Sequence, residues 1–242
     1  MSIEPRALPT PAPGAVTLDA QDLFALGRQA SAAREARLGR RGSFVRSRQL
    51  LGPASWRGPR DAAESFVDDG DLAAIGGLPA ARAAGIDLFV GAPEAAGAQA
   101  AAAAGLRVLL RFPYRLGETD GQRLDRLAAI AAVPAWGLLP TPVGEPYGLD
   151  TLRLFALCRL ALPKVPHLLA DVGALGPRLA QMAFGFGADE IFAPIVAERA
   201  LRLGANAHNP ALTRKEAVTL IRGAGLTACE RFSDGRLEEV AS

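Results

Sequence analysis

The chain has 242 residues and a mass of 25.2 kDa, a size that suits one large domain or two small ones. Half of the residues are apolar, which excludes a disordered or fibrous chain and allows a sizeable buried core. The formal net charge is only +2, and the few aromatic residues do not interleave with the basic ones. The composition therefore argues against nucleic acid as a partner.

The sequence predicts a protein of the reducing cytoplasm. Cys158 and Cys229 are its only cysteines, and their wide separation forms neither a disulfide framework nor a Cys-x-x-Cys metal motif. Two histidines, His167 and His208, are too few for a typical zinc site, so no metal is expected. The chain starts without a basic stretch and apolar run, and its longest uncharged stretch, 127–144, contains three prolines. We therefore expect neither a secretory signal nor a membrane helix.

The sequence predicts a short N-terminal segment followed by one domain. Residues 1–16 are rich in proline and predict a flexible lead-in, after which 17–242 form a single domain. Asp19 is a candidate cap for an N-terminal helix with apolar residues at helical spacing. The segment 50–71 contains Gly-Pro pairs and an acidic run, and it predicts an irregular linker within the domain.

From Ser43 onward, short apolar runs alternate with helical patterns. The predicted strands are 44–45, 72–75, 86–90, 108–112, 136–139, 167–170, 191–192 and 226–229, and the predicted helices are 78–84, 95–104, 122–132, 149–162, 175–186 and 213–223. This alternation implies right-handed βαβ crossovers and a mostly parallel sheet. The predicted fold class is α/β: a (β/α) barrel of the TIM type, shortened or partly open, with an N-terminal helix.

Several carboxylates follow predicted strands, where the active sites of such barrels form. Glu94, Glu118 and Asp171 are the candidate catalytic residues, because acid–base chemistry needs carboxylates at the mouth. The alternative for each is a helix cap or a loop charge. His167 begins a strand and favours a structural hydrogen bond, whereas His208 favours an ordinary loop residue.

Arginines concentrate near the N-terminal helix. They are Arg34, Arg37, Arg40, Arg41, Arg46, Arg48, Arg57 and Arg60. An acidic partner protein or an anionic substrate is one interpretation, and a solvated helix face is the other.

A series of motifs in the second half of the chain carries a resemblance to a known family. The motifs are Gly117-Glu118-Thr119 with Arg123 and Leu127, Gly148 to Arg153, Arg159-Leu160, Val165-Pro166-His167, Gly176-Pro177 with Ala180-Gln181, Phe186 to Glu190 with Glu198, Glu216, Leu220 to Gly225, and Glu230-Arg231. In these residues the chain resembles the radical S-adenosylmethionine (SAM) enzymes of the futalosine route to menaquinone. That group comprises aminofutalosine synthase and cyclic dehypoxanthine futalosine synthase, which are relatives of the FO synthase subunits.

The resemblance implies a SAM site near Glu118 and Arg123, and we take these two residues and Gly91 as candidates for ligand binding. It also implies a Cys-x3-Cys-x2-Cys loop after the first strand, which holds a [4Fe–4S] cluster. The corresponding place, Gln49 to Arg57, contains no cysteine. We therefore expect no cluster, no radical SAM activity of the chain alone, and a deletion of early barrel strands, whereas SAM binding stays open.

Three functional hypotheses follow. The first is a catalytically degenerate relative, a pseudoenzyme that is a partner or regulator of an active radical SAM paralogue. The second is a cluster-free enzyme that acts on a nucleoside-like small molecule by acid–base chemistry. The third is a subunit of an active complex whose cluster another chain supplies. Because a shortened barrel leaves sheet edges to cover, self-association is a further expectation.

Overall fold

The structure is a computed structural model that describes residues 22–50, 63–92, 96–196 and 211–241. The predicted lead-in, the proposed cap Asp19, Glu94, Glu198 and His208 lie outside the described residues. The N-terminal helix is confirmed, and within the described part it is capped by Asp22, whose carboxylate accepts a hydrogen bond from the Ala25 amide at 2.7 Å. In these ranges no helix combines the length and the apolarity that crossing a membrane would take.

Helices and strands alternate along most of the chain. The helices are α1 Leu23–Leu38, α2 Gly77–Ala83, α3 Ala96–Ala103, α4 Asp120–Ile130, α5 Gly148–Ala161, α6 Val172–Leu175, α7 Pro177–Ala183 and α8 Arg214–Gly223. The strands are β1 Arg41–Phe44, β2 Ser47–Leu50, β3 Ala63–Asp68, β4 Leu88–Gly91, β5 Arg107–Tyr114, β6 Gly137–Pro142, β7 His167–Asp171, β8 Glu190–Phe192, β9 Ile195–Val196, β10 Leu212–Thr213, β11 Thr227–Arg231 and β12 Leu237–Glu239.

Ten of these strands form one sheet in the order β12-β11-β1-β8-β7-β6-β5-β4-β3-β2. All neighbouring pairs are parallel except β11 and β12. Only Val45 and Arg46 separate β1, an inner strand of the sheet, from β2, the last strand in the order. Two strands that are far apart in the strand order are therefore joined by two residues. The Arg231 guanidinium of β11 also reaches Glu64 of β3 at 2.9 Å. The sheet therefore curls back on itself, and the predicted TIM-type (β/α) barrel is confirmed in a shortened form.

Two details of the predicted elements are wrong. Residues 72–75 form turns that follow a single 3-10 turn, and the strand of this region is β3, inside the segment predicted to be an irregular linker. β3 lacks an apolar signature because its inward positions include Glu64 and Asp68. The helix expected over 175–186 is interrupted at Gly176, whose φ of 75° favours glycine, and α7 begins at Pro177.

Apolar side chains pack in two layers. The larger layer lies between the helices and the outer face of the sheet, where Phe89, Leu110 and Phe155 are buried. The smaller layer fills the inside of the barrel and comprises Leu88, Val90, Leu109, Leu139 and Leu169, with Phe66, Trp136 and Phe192 packed against them. Because side chains alternate along a strand, this inner layer identifies which residues of each strand point into the barrel.

Candidate functional site at the mouth of the barrel

The mouth is the end of the barrel at which the parallel strands finish. Asp68 is two residues beyond the inward Phe66 on β3, and Arg111 is two residues beyond the inward Leu109 on β5. Their side chains form an ion pair across the intervening strand, and both are partly exposed to solvent. The geometry thus places one anion and one cation at the interior of the mouth, within reach of water.

Asp171 lies at the same end of the barrel. It is the last residue of β7, pairs in register with Phe192 of β8, and is half-buried. Its carboxylate accepts hydrogen bonds from the amides of Gly173 and Ala174 at 2.8 and 3.3 Å and so caps α6. Asp171 is therefore a helix cap, which is the alternative role that the sequence suggests for it. Its catalytic role stays a prediction.

Glu118 and Arg123 belong to a cluster of ion pairs beside the mouth, between α4 and α5. Glu118 accepts a hydrogen bond from Arg126 at 2.9 Å and lies 3.9 Å from the Nε of Arg123. Arg123 is buried, and its Nη2 donates to Asp150 of α5 at 2.6 Å. The Glu118 Oε2 and the Arg123 Nε that face each other are buried and make no hydrogen bond within the part of the chain that the structure describes. The guanidinium thus joins the two helix starts, and no solvent-facing part of it is left for a ligand.

A second link holds the same two loops together. The hydroxyl of Tyr114, at the end of β5, lies 2.7 Å from the Thr151 hydroxyl in α5, and the amide of Val143 donates to the Tyr114 carbonyl at 2.8 Å. Burial raises the pKa of Tyr114 to about 12, so the phenol stays protonated and can donate. These bonds fix the β5–α4 loop against the β6–α5 loop.

Gly91 ends β4 and has a structural reason to be glycine. A Cβ at this position would come within 2.5 Å of the Phe89 ring and 3.5 Å of the Asp69 Cβ. The residue is buried, so the space around it is filled by the protein. Ligand binding at Gly91 stays a prediction, and its neighbour Glu94 lies outside the described residues.

The opposite end of the barrel holds a buried ionic cluster. Arg231 donates to Glu190 at 2.6 Å and to Glu64 at 2.9 Å, and both carboxylates are fully buried. Arg107 lies 3.0 Å from Glu64, and burial lowers the pKa of its guanidinium even though Glu64 opposes the shift. The Arg107 and Arg231 guanidinium groups also lie 5.2 and 4.5 Å from the centre of the Trp136 ring. Together these groups close the bottom of the barrel.

His167 also lies at the bottom, as expected for a residue that begins a strand. Its Nδ1 is 2.6 Å from Asp189, whose other oxygen accepts hydrogen bonds from Arg159 and from the Leu168 amide, both at 2.6 Å. Burial opposes ionisation of Asp189, but the hydrogen bond and charge of His167 and the charge of Arg159 outweigh it, and the pKa of Asp189 is lowered. The arrangement ties β7, β8 and α5 together.

Four of the arginines near the N-terminal helix make contacts within the chain, whereas Arg57 and Arg60 lie outside the described residues. Arg34 is buried, Arg37 and Arg40 donate to backbone carbonyls of Pro163 and Gly225, and Arg46 pairs with the buried Glu230 at 2.7 Å. Arg34 is therefore not part of the solvated face considered from the sequence. Burial lowers its pKa, and its Nε and Nη1 make no hydrogen bond in the described part of the chain.

Asp68 and Arg111 lie at the mouth but are not among the site residues that the sequence predicts. For Arg111 the sequence does contain an indication, because side chains alternate along β5 and Arg111 therefore lies on the same inward face as Leu109. Asp68 was hidden because its strand was predicted to be a linker. Among the described residues, histidine, cysteine and carboxylate side chains do not gather into a group of three or more that could hold a metal ion.

The described strands and helices define a shortened TIM-type (β/α) barrel. A solved structure of methylornithine synthase aligns with 84% of this chain and 88% of its own, with a TM-score of 0.60 and 11% sequence identity, which establishes the shared fold. The chain is also 32% identical over 84 residues to aminodeoxyfutalosine synthase of Thermus thermophilus. It matches no known family profile.

The aligned segment covers 35% of this chain and 23% of the length of the Thermus enzyme. The resemblance to the futalosine-pathway radical SAM enzymes that the motifs predict is therefore confirmed as a sequence similarity over these 84 residues, together with the shared fold. Because less than a quarter of the Thermus enzyme is matched, its activity is not carried over to this chain.

Proposed function

We propose that the protein is a catalytically degenerate relative of the futalosine-pathway radical SAM enzymes and that it is a partner or regulator of an active, cluster-bearing paralogue. The observation that carries the proposal is the state of its two cysteines. A [4Fe–4S] cluster that keeps one iron open for SAM needs three thiolate ligands. The sequence has two cysteines, and their surroundings favour the neutral thiol.

Cys158 lies in α5 within the layer between the helices and the sheet, and burial raises its pKa to about 12. Cys229 lies in β11 and is also buried, and burial raises its pKa as well. A buried neutral thiol packs as a small apolar group and is a poor metal ligand. The two cysteines therefore do not fit the ligand set of the cluster, and the proposal contains no step that uses one.

The contacts of the candidate carboxylates favour this proposal over a cluster-free enzyme. Glu118 is paired with Arg126 and Asp171 caps α6, so both carboxylates have structural partners. A general acid or base must be free to contact its substrate. Among the described residues of the mouth, the partly exposed pair of Asp68 and Arg111 is the arrangement that suits a small polar ligand.

Anaerobic reconstitution with iron and sulfide tests the loss of the cluster. The wild-type chain and a Cys158→Ala/Cys229→Ala variant should show the same visible absorbance, the same iron content and the same absence of methionine release from SAM under reducing conditions. Cluster absorbance that exceeds that of the double variant would refute the proposal. Retained far-ultraviolet circular dichroism shows that both proteins are folded.

A binding measurement tests the partner role. We expect saturable heat when the chain is titrated with a cluster-bearing homologue from the same source, and no heat with SAM, S-adenosylhomocysteine or a futalosine-type nucleoside. Absence of binding to the homologue would refute the partner role. Nucleoside binding that Asp68→Asn or Arg111→Met abolishes would favour the enzyme hypothesis instead.

A further inference from the structure

Four large apolar side chains are exposed on two adjacent loops at the rim of the mouth. They are Leu116 on the β5–α4 loop and Val143, Tyr147 and Leu149 on the β6–α5 loop and the start of α5, with 55%, 47%, 57% and 66% of their surface exposed. We call these four residues the rim patch. Single exposed apolar side chains are ordinary on a protein surface, but a group on neighbouring loops marks an interaction site.

The two loops are held rigidly with respect to each other. The Val143 amide bonds to the Tyr114 carbonyl, the Tyr114 hydroxyl meets Thr151, and the buried Arg123 bridges from α4 to Asp150 of α5. Each bond joins one loop or its helix to the other. The chain thus uses buried polar contacts to fix loops whose apolar side chains stay in water, which preorganises a binding surface and lowers the entropic cost of association.

The charges at the edge of the rim patch identify what binds there. Arg115 directly precedes Leu116 on one loop, Glu145 lies two residues after Val143 on the other, and both side chains are exposed. Neither side chain forms an ion pair with any residue that the structure describes. A surface with one cation and one anion on opposite loops is complementary to itself, because a two-fold rotation places each charge of one copy opposite its counterpart on the other.

We propose that the rim patch binds the rim patch of a second copy of this chain and forms a two-fold symmetric dimer. The four side chains supply the apolar centre, and Arg115 and Glu145 form two equivalent ion pairs at its edge. The exposed apolar area is on the order of 400 Å², about half of what one partner contributes to a standard interface, so the dimer is weak and reversible. This assignment does not depend on the proposed function.

Sedimentation equilibrium over a series of protein concentrations tests the apolar centre. We expect a reversible monomer–dimer equilibrium for the wild-type chain and a dissociation constant at least about thirtyfold higher for Leu149→Glu. Met182→Glu is the matched control, because Met182 is exposed on α7 and lies outside the rim patch. Its dissociation constant should equal that of the wild type, and both variants should keep the wild-type melting temperature.

Charge reversal tests the symmetry. Arg115→Glu gives a patch with two anions and Glu145→Arg gives a patch with two cations, so each variant alone should dimerise more weakly than the wild type. An equimolar mixture of the two should recover dimerisation to within about threefold of the wild type, because each then meets its opposite.

Three outcomes would overturn the proposal. They are a wild-type chain that is monomeric at every concentration, a dimer that Leu149→Glu leaves unchanged, and a mixture of the reversed variants that associates no better than either alone. A monomeric wild type whose binding to the cluster-bearing homologue is lost in Leu149→Glu would reassign the rim patch to that partner.

Discussion

The bottom and the mouth of the barrel both hold ion pairs between inward-facing side chains, but they differ in contact with water. At the bottom, the side chains of Glu64, Glu190 and Arg231 are at most 2% exposed. At the mouth, the side chains of Asp68 and Arg111 are 25% and 38% exposed. Because removing one member of a buried pair strands a charge without solvent, the bottom contributes to stability, whereas the mouth is free to exchange its contacts for those of a ligand.

The largest expected effect is that of Arg231→Met, which leaves Glu64 and Glu190 buried without the cation that bridges them. We expect the free energy of unfolding to fall by about 3–5 kcal/mol, measured by urea denaturation. Arg107 remains 3.0 Å from Glu64, and the Ser43 hydroxyl still donates to Glu190 at 3.1 Å, so these contacts offset part of the loss.

Arg236→Met is the control for that change. Arg236 follows β11 in the same hairpin and pairs with Glu238 near the surface, so its replacement should change stability by no more than about 1 kcal/mol. Equal losses for the two variants would mean that the bottom cluster is not the buried centre of stability that the distances indicate.

Asp189→Asn should have the next largest effect, about 2–4 kcal/mol at neutral pH, because it removes the carboxylate shared by His167, Arg159 and the Leu168 amide. The pKa of Asp189 is lowered in the folded chain, so the folded state favours the ionised carboxylate. Its stabilisation is therefore complete above the ordinary aspartate pKa of 3.8 and is lost as the pH falls through the lower folded value.

Urea denaturation between neutral and acidic pH measures this dependence. Below about pH 4 the difference in unfolding free energy between wild type and Asp189→Asn should shrink. A difference that kept growing below about pH 4 would contradict the direction of the pKa shift. Asp87→Asn provides a comparison, because burial raises the pKa of Asp87 in the folded chain. The difference in unfolding free energy between wild type and Asp87→Asn should therefore not shift against the wild type as the pH falls.

The alternation of strands and helices was predictable from the sequence because β4 to β8 and β11 contain apolar runs that alternate with helical patterns. β3 was not, because the partner that makes Glu64 acceptable inside the barrel is Arg231, 167 residues further along the chain. The same limit applies to Arg123. The sequence shows an arginine near a helix start, and only the folded chain shows that Asp150 and Glu118 surround it.

Arg123→Met tests a pair that is intermediate between the buried cluster at the bottom and the exposed pair at the mouth. Arg123 is buried, and its partner Asp150 is partly exposed. We expect a loss of about 1–2 kcal/mol, smaller than at the bottom, since Asp150 can turn to water. Hydrogen exchange should become faster in the β5–α4 and β6–α5 loops and stay unchanged in β7 and β8. Unchanged exchange in both loops would show that Arg123 does not hold them together.

Arg111→Met should have the smallest effect on stability, no more than about 1 kcal/mol, although Arg111 belongs to the same strand as the partly buried Arg107. The Asp68 carboxylate stays in contact with solvent at the mouth, so its charge is not left buried when Arg111 is replaced. Arg107→Met, four residues earlier on the same face, leaves the fully buried Glu64 with one cation fewer and should cost at least twice as much. Urea denaturation of these two variants compares the same chemical change at two positions of β5 that are four residues apart. A larger loss for Arg111→Met would mean that the ion pair at the mouth is structural, and the mouth would then no longer be the favoured place for a polar ligand.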